Sequence, residues 1–173
     1  TGFNAPLFIS KKGTKQIFEG DAVLKDQKAL KELAGINGLK GISPVVFKPA
    51  MLQSTRFSDT IHLSNGKDSL INRQDILGVV MKGVIQTYDW TFIKEELVAG
   101  RVLNFQSKQE ELVLSKRMAD QLNYSLNDTI SVYYVKNQPV LRKYKVVGIY
   151  QTGLEEYDQK LVFCRLPEVQ KMN

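Results

Sequence analysis

Between Leu141 and Leu166 the hydrophobic pattern spells strand, turn, strand and helix in quick succession. Tyr144, Val146, Val147 and Ile149 give the alternation of a half-buried strand. Gly153 then sits in a short acidic connection, Glu155, Glu156 and Asp158, where the pattern predicts a turn. Leu161, Val162, Phe163 and Cys164 form a second apolar run, and Pro167 can open a helix at its first turn. Upstream, Ile130–Val135 reads as a further strand, joined to the first by a segment from Lys136 to Lys145 that holds Pro139 and no acidic residue. This basic, proline-containing arm is the leading candidate for a contact surface, with Lys136, Asn137, Gln138, Pro139, Val140, Arg142 and Lys143 as its contact residues.

The rest of the chain follows in the same terms. Pro6–Ser10 reads as a short strand. Asp26 caps a helix to Ile36 with Leu30, Leu33 and Ala34 as its apolar stripe, and Gly35 or Gly38 ends it. Gly41–Phe47 is a strand with Pro44 at an edge or bulge, which completes a split β-α-β opening. Asn65-Gly66 is a hairpin turn between two weakly patterned strands. Ile76–Val84 is a continuous apolar run suited to a central strand, and Tyr88–Ala99 is a helix begun by Asp89 and closed by Gly100. Glu111–Leu114 is a strand. Ser115 caps a helix that carries Met118, Ala119 and Leu122 and ends near Asn123, and Leu126-Asn127-Asp128 turns into the strand Thr129–Val135.

Composition narrows the class. The chain has 173 residues, 43% hydrophobic and 24% charged, as in ordinary folded domains. Its net charge of +6 permits contact with anionic lipid, nucleic acid or acidic protein and selects none of them. No uninterrupted apolar run approaches the roughly 18 residues of a membrane span. A start at Thr1 without an initiator Met reads as a piece of a longer or processed product. The lone His62 and lone Cys164 argue against metal sites and nucleophilic triads built on those residues, and Cys164 reads as a small buried hydrophobe. Neither GxxxxGK[ST] nor GxGxxG occurs, so the sequence carries no phosphate-cradling loop. Glu155, Glu156 and Asp158 read as a solvated turn rather than an acid–base pair, because no neighbouring group or apolar pocket would split their pKa values. Trp90 and Phe92 read as core. Tyr133, Tyr134 and Tyr144 among Lys136, Arg142, Lys143 and Lys145 offer a stacking platform for single-stranded nucleic acid, set against strand residues with solvated outer faces. The residues alone thus give a non-catalytic α+β module with a basic arm.

Four segments carry a resemblance: GVVMKGV (Gly78–Val84), DWTFIKEELVAGRVL (Asp89–Leu103), ELVLSKRMADQLNYSLNDTISVYYV (Glu111–Val135) and the stretch from Arg142 to Asn173. In this order and spacing the chain resembles the extracytoplasmic domain of MacB/FtsX-like ABC transporter permeases, and most closely the lipoprotein-releasing LolC/LolE type. The first 75 residues match in layout only. The resemblance implies an α+β fold of two interwoven lobes. One is a split β-α-β porter-like lobe (1–85 plus 152–173), the other an inserted β-rich sabre-like lobe (86–151) with one or two helices. It further implies a periplasmic domain of an inner-membrane protein, with membrane helices adjoining Thr1–Phe3 and Asn173. The partners it implies are a second permease subunit, as homo- or heterodimer, a cytoplasmic ATPase, and a periplasmic lipoprotein carrier or lipoprotein substrate. No catalysis, cofactor, metal or nucleic acid is expected of the domain. It would couple ATP-driven motion to events outside the membrane by rigid-body shifts.

In the lipoprotein-releasing branch the hairpin matching Val135–Tyr144 is a hook that grips the carrier, and Pro139 and Arg142 fall where that hook has a Pro and an Arg. The present arm is shorter than that pattern. Three alternatives stay open: a MacB-like efflux permease contacting an adaptor, an FtsX-like cell-division permease contacting a hydrolase activator, and a stand-alone basic module for nucleic acid or glycan.

Overall fold

A computed structural model of the chain describes residues 32–33, 35–37, 42–55, 57–62, 68–134 and 139–171. In chain order its elements are β1 (Val46–Gln53), β2 (Phe57–His62), β3 (Asp68–Arg73), β4 (Ile76–Val84), α1 (Thr91–Glu95), β5 (Leu97–Gly100) and β6 (Glu111–Ser115). Then follow α2 (Lys116–Leu122), β7 (Thr129–Tyr134), β8 (Val140–Tyr150), α3 (Glu155–Lys160), β9 (Leu161–Arg165) and α4 (Leu166–Gln170). The strand at Pro6–Ser10, the cap at Asp26 and the turn at Asn65-Gly66 lie outside the described residues, although β2 and β3 pair antiparallel on either side of that turn.

The apolar run Ile76–Val84 is a central strand. β4 pairs antiparallel with β1 and parallel with β9. β9 pairs antiparallel with β6, β6 parallel with β8, and β8 antiparallel with β7. β7 then pairs antiparallel with β1, which closes the ring. The result is a closed barrel of six strands, ordered β1–β4–β9–β6–β8–β7, with β5 added on β8 as a seventh. So few strands leave room inside only for side chains. Ala50, Leu52, Met81, Leu112, Val132 and Tyr144 are among those that fill it, each on the inward face of its strand.

This architecture corrects the expected one: the described chain is mostly β with short helices, and it is not a β-α-β porter-like lobe interwoven with a sabre-like lobe. β1, β4 and β9 form one arc of the ring and β6, β8 and β7 the other, hydrogen-bonded to each other at both seams. A three-stranded arc has one apolar face and cannot bury it alone. The two arcs bury theirs against each other in one shared interior.

Helices close both mouths. β6 and β9 are antiparallel, and each passes directly into a helix at its C-terminal end, so α2 and α4 sit at opposite ends of the barrel. Ser115, the last residue of β6, caps α2 by accepting a hydrogen bond from Met118 N at 3.1 Å, and the left-handed Asn123 (φ 56°) ends it. Met118, Ala119 and Leu122 point from α2 into the interior, and Val169 does so from α4. Gly83 lets α4 approach: a Cβ there would lie 3.0 Å from the Leu166 Cα.

A second apolar cluster covers the outer face of β9, β6 and the end of β8. Trp90, Ile93, Leu103, Val113, Tyr150 and Phe163 form its centre. The helix expected over Tyr88–Ala99 stops at Glu95, because Leu97–Gly100 pair instead with Gly148–Tyr150 of β8. Tertiary hydrogen bonding outweighs helix propensity here. Asp89 accepts bonds from Thr91 N (2.9 Å) and Thr91 Oγ1 (2.6 Å), one residue outside the helix it was expected to begin. The acidic segment after Gly153 is helical rather than a turn, and of its three acidic residues Glu155 and Glu156 are exposed as expected while Asp158 is not. The segment forms α3, and the buried Asp158 carboxylate accepts bonds from the Thr152 hydroxyl and from the amides of Thr152 and Gly153.

β8 carries a bulge. Val146 is opposite Leu112 and Gly148 opposite Val113, leaving Val147 as the extra residue. The chain leaving β5 crosses directly over this point, with Arg101 N donating to Val147 O at 2.9 Å. A Cβ on Gly148 would lie 2.2 Å from Arg101 O, inside van der Waals contact with backbone that cannot move aside. Gly148→Ala is therefore expected to cost about 2 kcal/mol or more in urea-denaturation stability. A loss below about 0.5 kcal/mol would show that the β5 crossover yields.

Candidate functional site

The mouth closed by α4 holds the described members of the predicted contact set. β8 runs parallel to β6 and starts at Val140, five residues before Lys145 meets Glu111 at the start of β6, so the β7 and β8 ends at Tyr134 and Val140 lie at the end of the barrel where α4 sits. Lys136, Asn137 and Gln138 lie outside the described residues. Pro139 and Lys143 are exposed, and Val140 is half-buried opposite Tyr134. Arg142 does not stand at the tip. It is set in the barrel wall opposite Val132, with Nη1 3.6 Å from Glu110 Oε1. From Tyr134 and Val140 inward, the arm is barrel wall. Tyr134 and Tyr144 are fully buried and share a hydroxyl–hydroxyl hydrogen bond of 2.8 Å, so neither ring is available for a base to stack on. Burial pushes both hydroxyls well above the ordinary tyrosine range.

Beneath the hairpin, Arg165 ties three segments together. Its Nε donates to Glu168 Oε1 at 2.6 Å and its Nη2 to Gln109 O at 2.6 Å, while Nη1 reaches Ser107 O. Arg165 N also donates to Glu168 Oε2 at 3.2 Å, the backward half of a capping box. The same loop ends at Glu110, whose carbonyl accepts from Lys145 N at 2.8 Å. Loop 104–110, the start of α4 and the first half of β8 are thus fastened to one another. Glu168 is almost fully buried. Burial raises its pKa to about 7, against the bonds from Arg165 that favour its charged form, and nearby Glu110 adds to the rise.

Other buried charges hold the fold in place. Glu111 receives two bonds from Arg101 (3.0 and 2.7 Å) and one from Asn104 N (2.8 Å). Burial alone would raise its pKa, but the Arg101 bond, the Asn104 amide, the Ser107 hydroxyl and the Arg101 charge together hold it below the ordinary value. Lys82, on the outward face of β4, donates to Tyr88 Oη at 3.1 Å and lies over the rings of Phe47, Tyr88 and Phe163 at 4.9–5.7 Å from their centroids. Burial lowers its pKa to about 8. Cys164 is buried in the interior and burial pushes its thiol up. Among the described residues, no group of three or more His, Cys, Asp or Glu side chains could hold a metal ion, and no helix is long and apolar enough to cross a membrane.

Comparison with known proteins adds no name to this geometry: the chain matches no protein-family model and no curated protein. Sequence reasoning singled out Arg142 but not Glu110 beside it, nor the buried Tyr134–Tyr144 pair. The Arg165–Glu168 link had a legible signal, because an acidic residue three positions after the last strand residue and beside Pro167 has capping-box spacing.

Folding raises the Glu168 pKa from 4.5 to about 7, so the folded chain holds this proton more tightly than the unfolded one. Its contribution is most favourable below pH 4.5, declines as pH rises to about 7, and is flat above. Measured against Glu168→Gln, which does not titrate, wild-type stability should fall by on the order of 3 kcal/mol across that window. Parallel pH profiles for the two proteins would show that Glu168 titrates normally.

Proposed function

We propose that the chain is a non-catalytic extracytoplasmic module of an ABC transporter permease of the lipoprotein-releasing type, acting by mechanical transmission and by partner contact through the β7–β8 hairpin. The observation that carries the reading is the place of the segments bearing the resemblance. Gly78–Val84, Asp89–Leu103, Glu111–Val135 and Arg142–Asn173 supply β4, the α1–β5 cover, β6–α2–β7 and β8–α3–β9–α4. These make most of five of the six barrel strands and both plugs, and they flank the connection of the β7–β8 hairpin on either side.

The two-lobe layout is not retained, but the mechanical role is. A ring whose strands are all paired, with a helix seated in each mouth, resists bending and moves as one body. Arg165 and Glu168 lock α4 to that body, and Arg142 and Glu110 join the hairpin to the same loop. Movement imposed at α4 would therefore reach the hairpin without loss of shape. The described polar clusters serve these internal ties, which fits a lever better than an enzyme.

Expressed with its native flanking sequence, the protein should fractionate with the inner membrane and co-purify with an ATPase subunit. Recovery as a soluble protein with no ATPase would overturn the permease reading. Photo-reactive residues at Asn137, Gln138 and Val140 should label a soluble lipoprotein carrier, whereas labelling only an adaptor or a hydrolase activator would move the assignment to the efflux or cell-division branch. Arg142→Ala should weaken carrier binding at least tenfold and cost less than about 1 kcal/mol of stability, since its ion pair with Glu110 is partly exposed. A larger stability loss would make Arg142 a structural residue.

A further inference from the structure

Among the described residues, the barrel wall is covered on one side and open on the other. Outside β9 and β6 lies the Trp90–Phe163 cluster. Outside β4, β1, β7 and β8 the strand register lines up a different surface. Gly78 is opposite Met51, Met51 opposite Tyr133, and Tyr133 opposite Leu141, so these four residues form one outward row across four strands. The adjoining rows add Val80 and Pro49 on one side and Ile76 on the other. Leu141 is 47% exposed and Ile76 62% exposed, which makes them two of the most exposed large hydrophobic residues described.

Gly78 gives this face a shape. It lies inside a nine-residue strand, where glycine packs nothing and weakens the strand. A Cβ placed on it would meet no atom within 4 Å. Neither its backbone nor crowding calls for glycine, so the outward row of β4 has a gap, or notch, between Ile76 and Val80 and opposite Met51. An interior strand glycine marks a bulge, a tight bend or the close approach of another chain, and the unbroken β1–β4 register through Gly78 removes the bulge. In the same row, across Met51 from Gly78, Tyr133 is held in place by its hydroxyl, which donates to Gln53 Oε1 at 2.8 Å. A fixed aromatic in an outward apolar row has the composition of an interface anchor. Lys143 and Lys145 follow Leu141 on the same outward face of β8 and border the apolar band with positive charge.

From this arrangement we infer that the outer face of β4–β1–β7–β8 is a docking surface for an acidic protein segment, which seats one apolar side chain in the Gly78 notch and sets carboxylates against Lys143 and Lys145. Charge complementarity selects this occupant. A second copy of the chain, itself +6, would bring like charges together across the contact. The surface lies on the barrel wall rather than at the hairpin tip, and it stands whether or not the permease reading does.

The test places a photo-reactive residue at Leu141 or Ile76 in the full-length protein in its own cells, and identifies the adduct by mass spectrometry. The expected product is a protein whose crosslinked segment has carboxylates beside an apolar side chain. Gly78→Val, which fills the notch with a good strand former, should cut that adduct at least tenfold without lowering the melting temperature. Lys143→Glu with Lys145→Glu should do the same through charge, and this pair keeps the test valid should Gly78→Val fold poorly. An adduct to a second copy, to lipid, or to residues 1–41 of the same chain would overturn the inference. Failure to crosslink, or an adduct indifferent to both sets of substitutions, would overturn it as well.

Discussion

Barrel closure depends on β8. Its first half, Val140–Lys145, pairs with β7, and its second half, Lys145–Tyr150, pairs with β6. Without those two ladders β6 and β7 would each keep an unpaired edge, and the ring would open into the sheet β6–β9–β4–β1–β7. A straight strand could not serve both neighbours and also receive β5. The bulge at Val147 supplies the adjustment: it adds one residue, turns the end of β8 toward Leu97–Gly100, and places Gly148 where Arg101 crosses. Inward-facing positions run Tyr144, Val146, then Ile149, a step of three where an unbroken strand would step by two.

At the mouth closed by α4 a set of charged groups is arranged in series. Arg142 reaches Glu110, the Glu110 carbonyl holds Lys145, and loop 104–110 ends on Arg165, which holds Glu168 and so the start of α4. Each bond is modest singly, and a partly exposed pair such as Arg142–Glu110 contributes little to stability. Their effect is geometric. The hairpin and the helix at that mouth share one loop, so neither can shift without the other.

The two sides of the wall differ in chemistry as well as in cover. On the covered side even a lysine is drawn in, with Lys82 resting on aromatic rings and bonded to Tyr88. On the open side, apolar residues face outward in register, and glycine stands where a strand former would have packed. That asymmetry is the basis for the docking surface proposed on the open wall.

By itself the sequence determined what depends on neighbours a few residues away. Ser115 and Asn123 mark the ends of α2, Pro167 opens α4, and the apolar runs Ile76–Val84 and Leu161–Cys164 are strands. It also identified the Tyr134–Tyr144 region as strand, connection and strand, because alternation and a proline are local signals. Tertiary structure decided the remainder. Leu97–Ala99 have a helical pattern and became strand because β8 offered them hydrogen-bond partners. Asp158 looked like a surface carboxylate and is buried because Thr152 and Gly153 fold back onto it. Closure of six strands into one ring, in place of two lobes, rests on the β7–β1 and β9–β6 pairings. Those contacts join residues about 80 and 50 positions apart. No local pattern encodes them, since an apolar strand face states only that it must be buried and never against which partner.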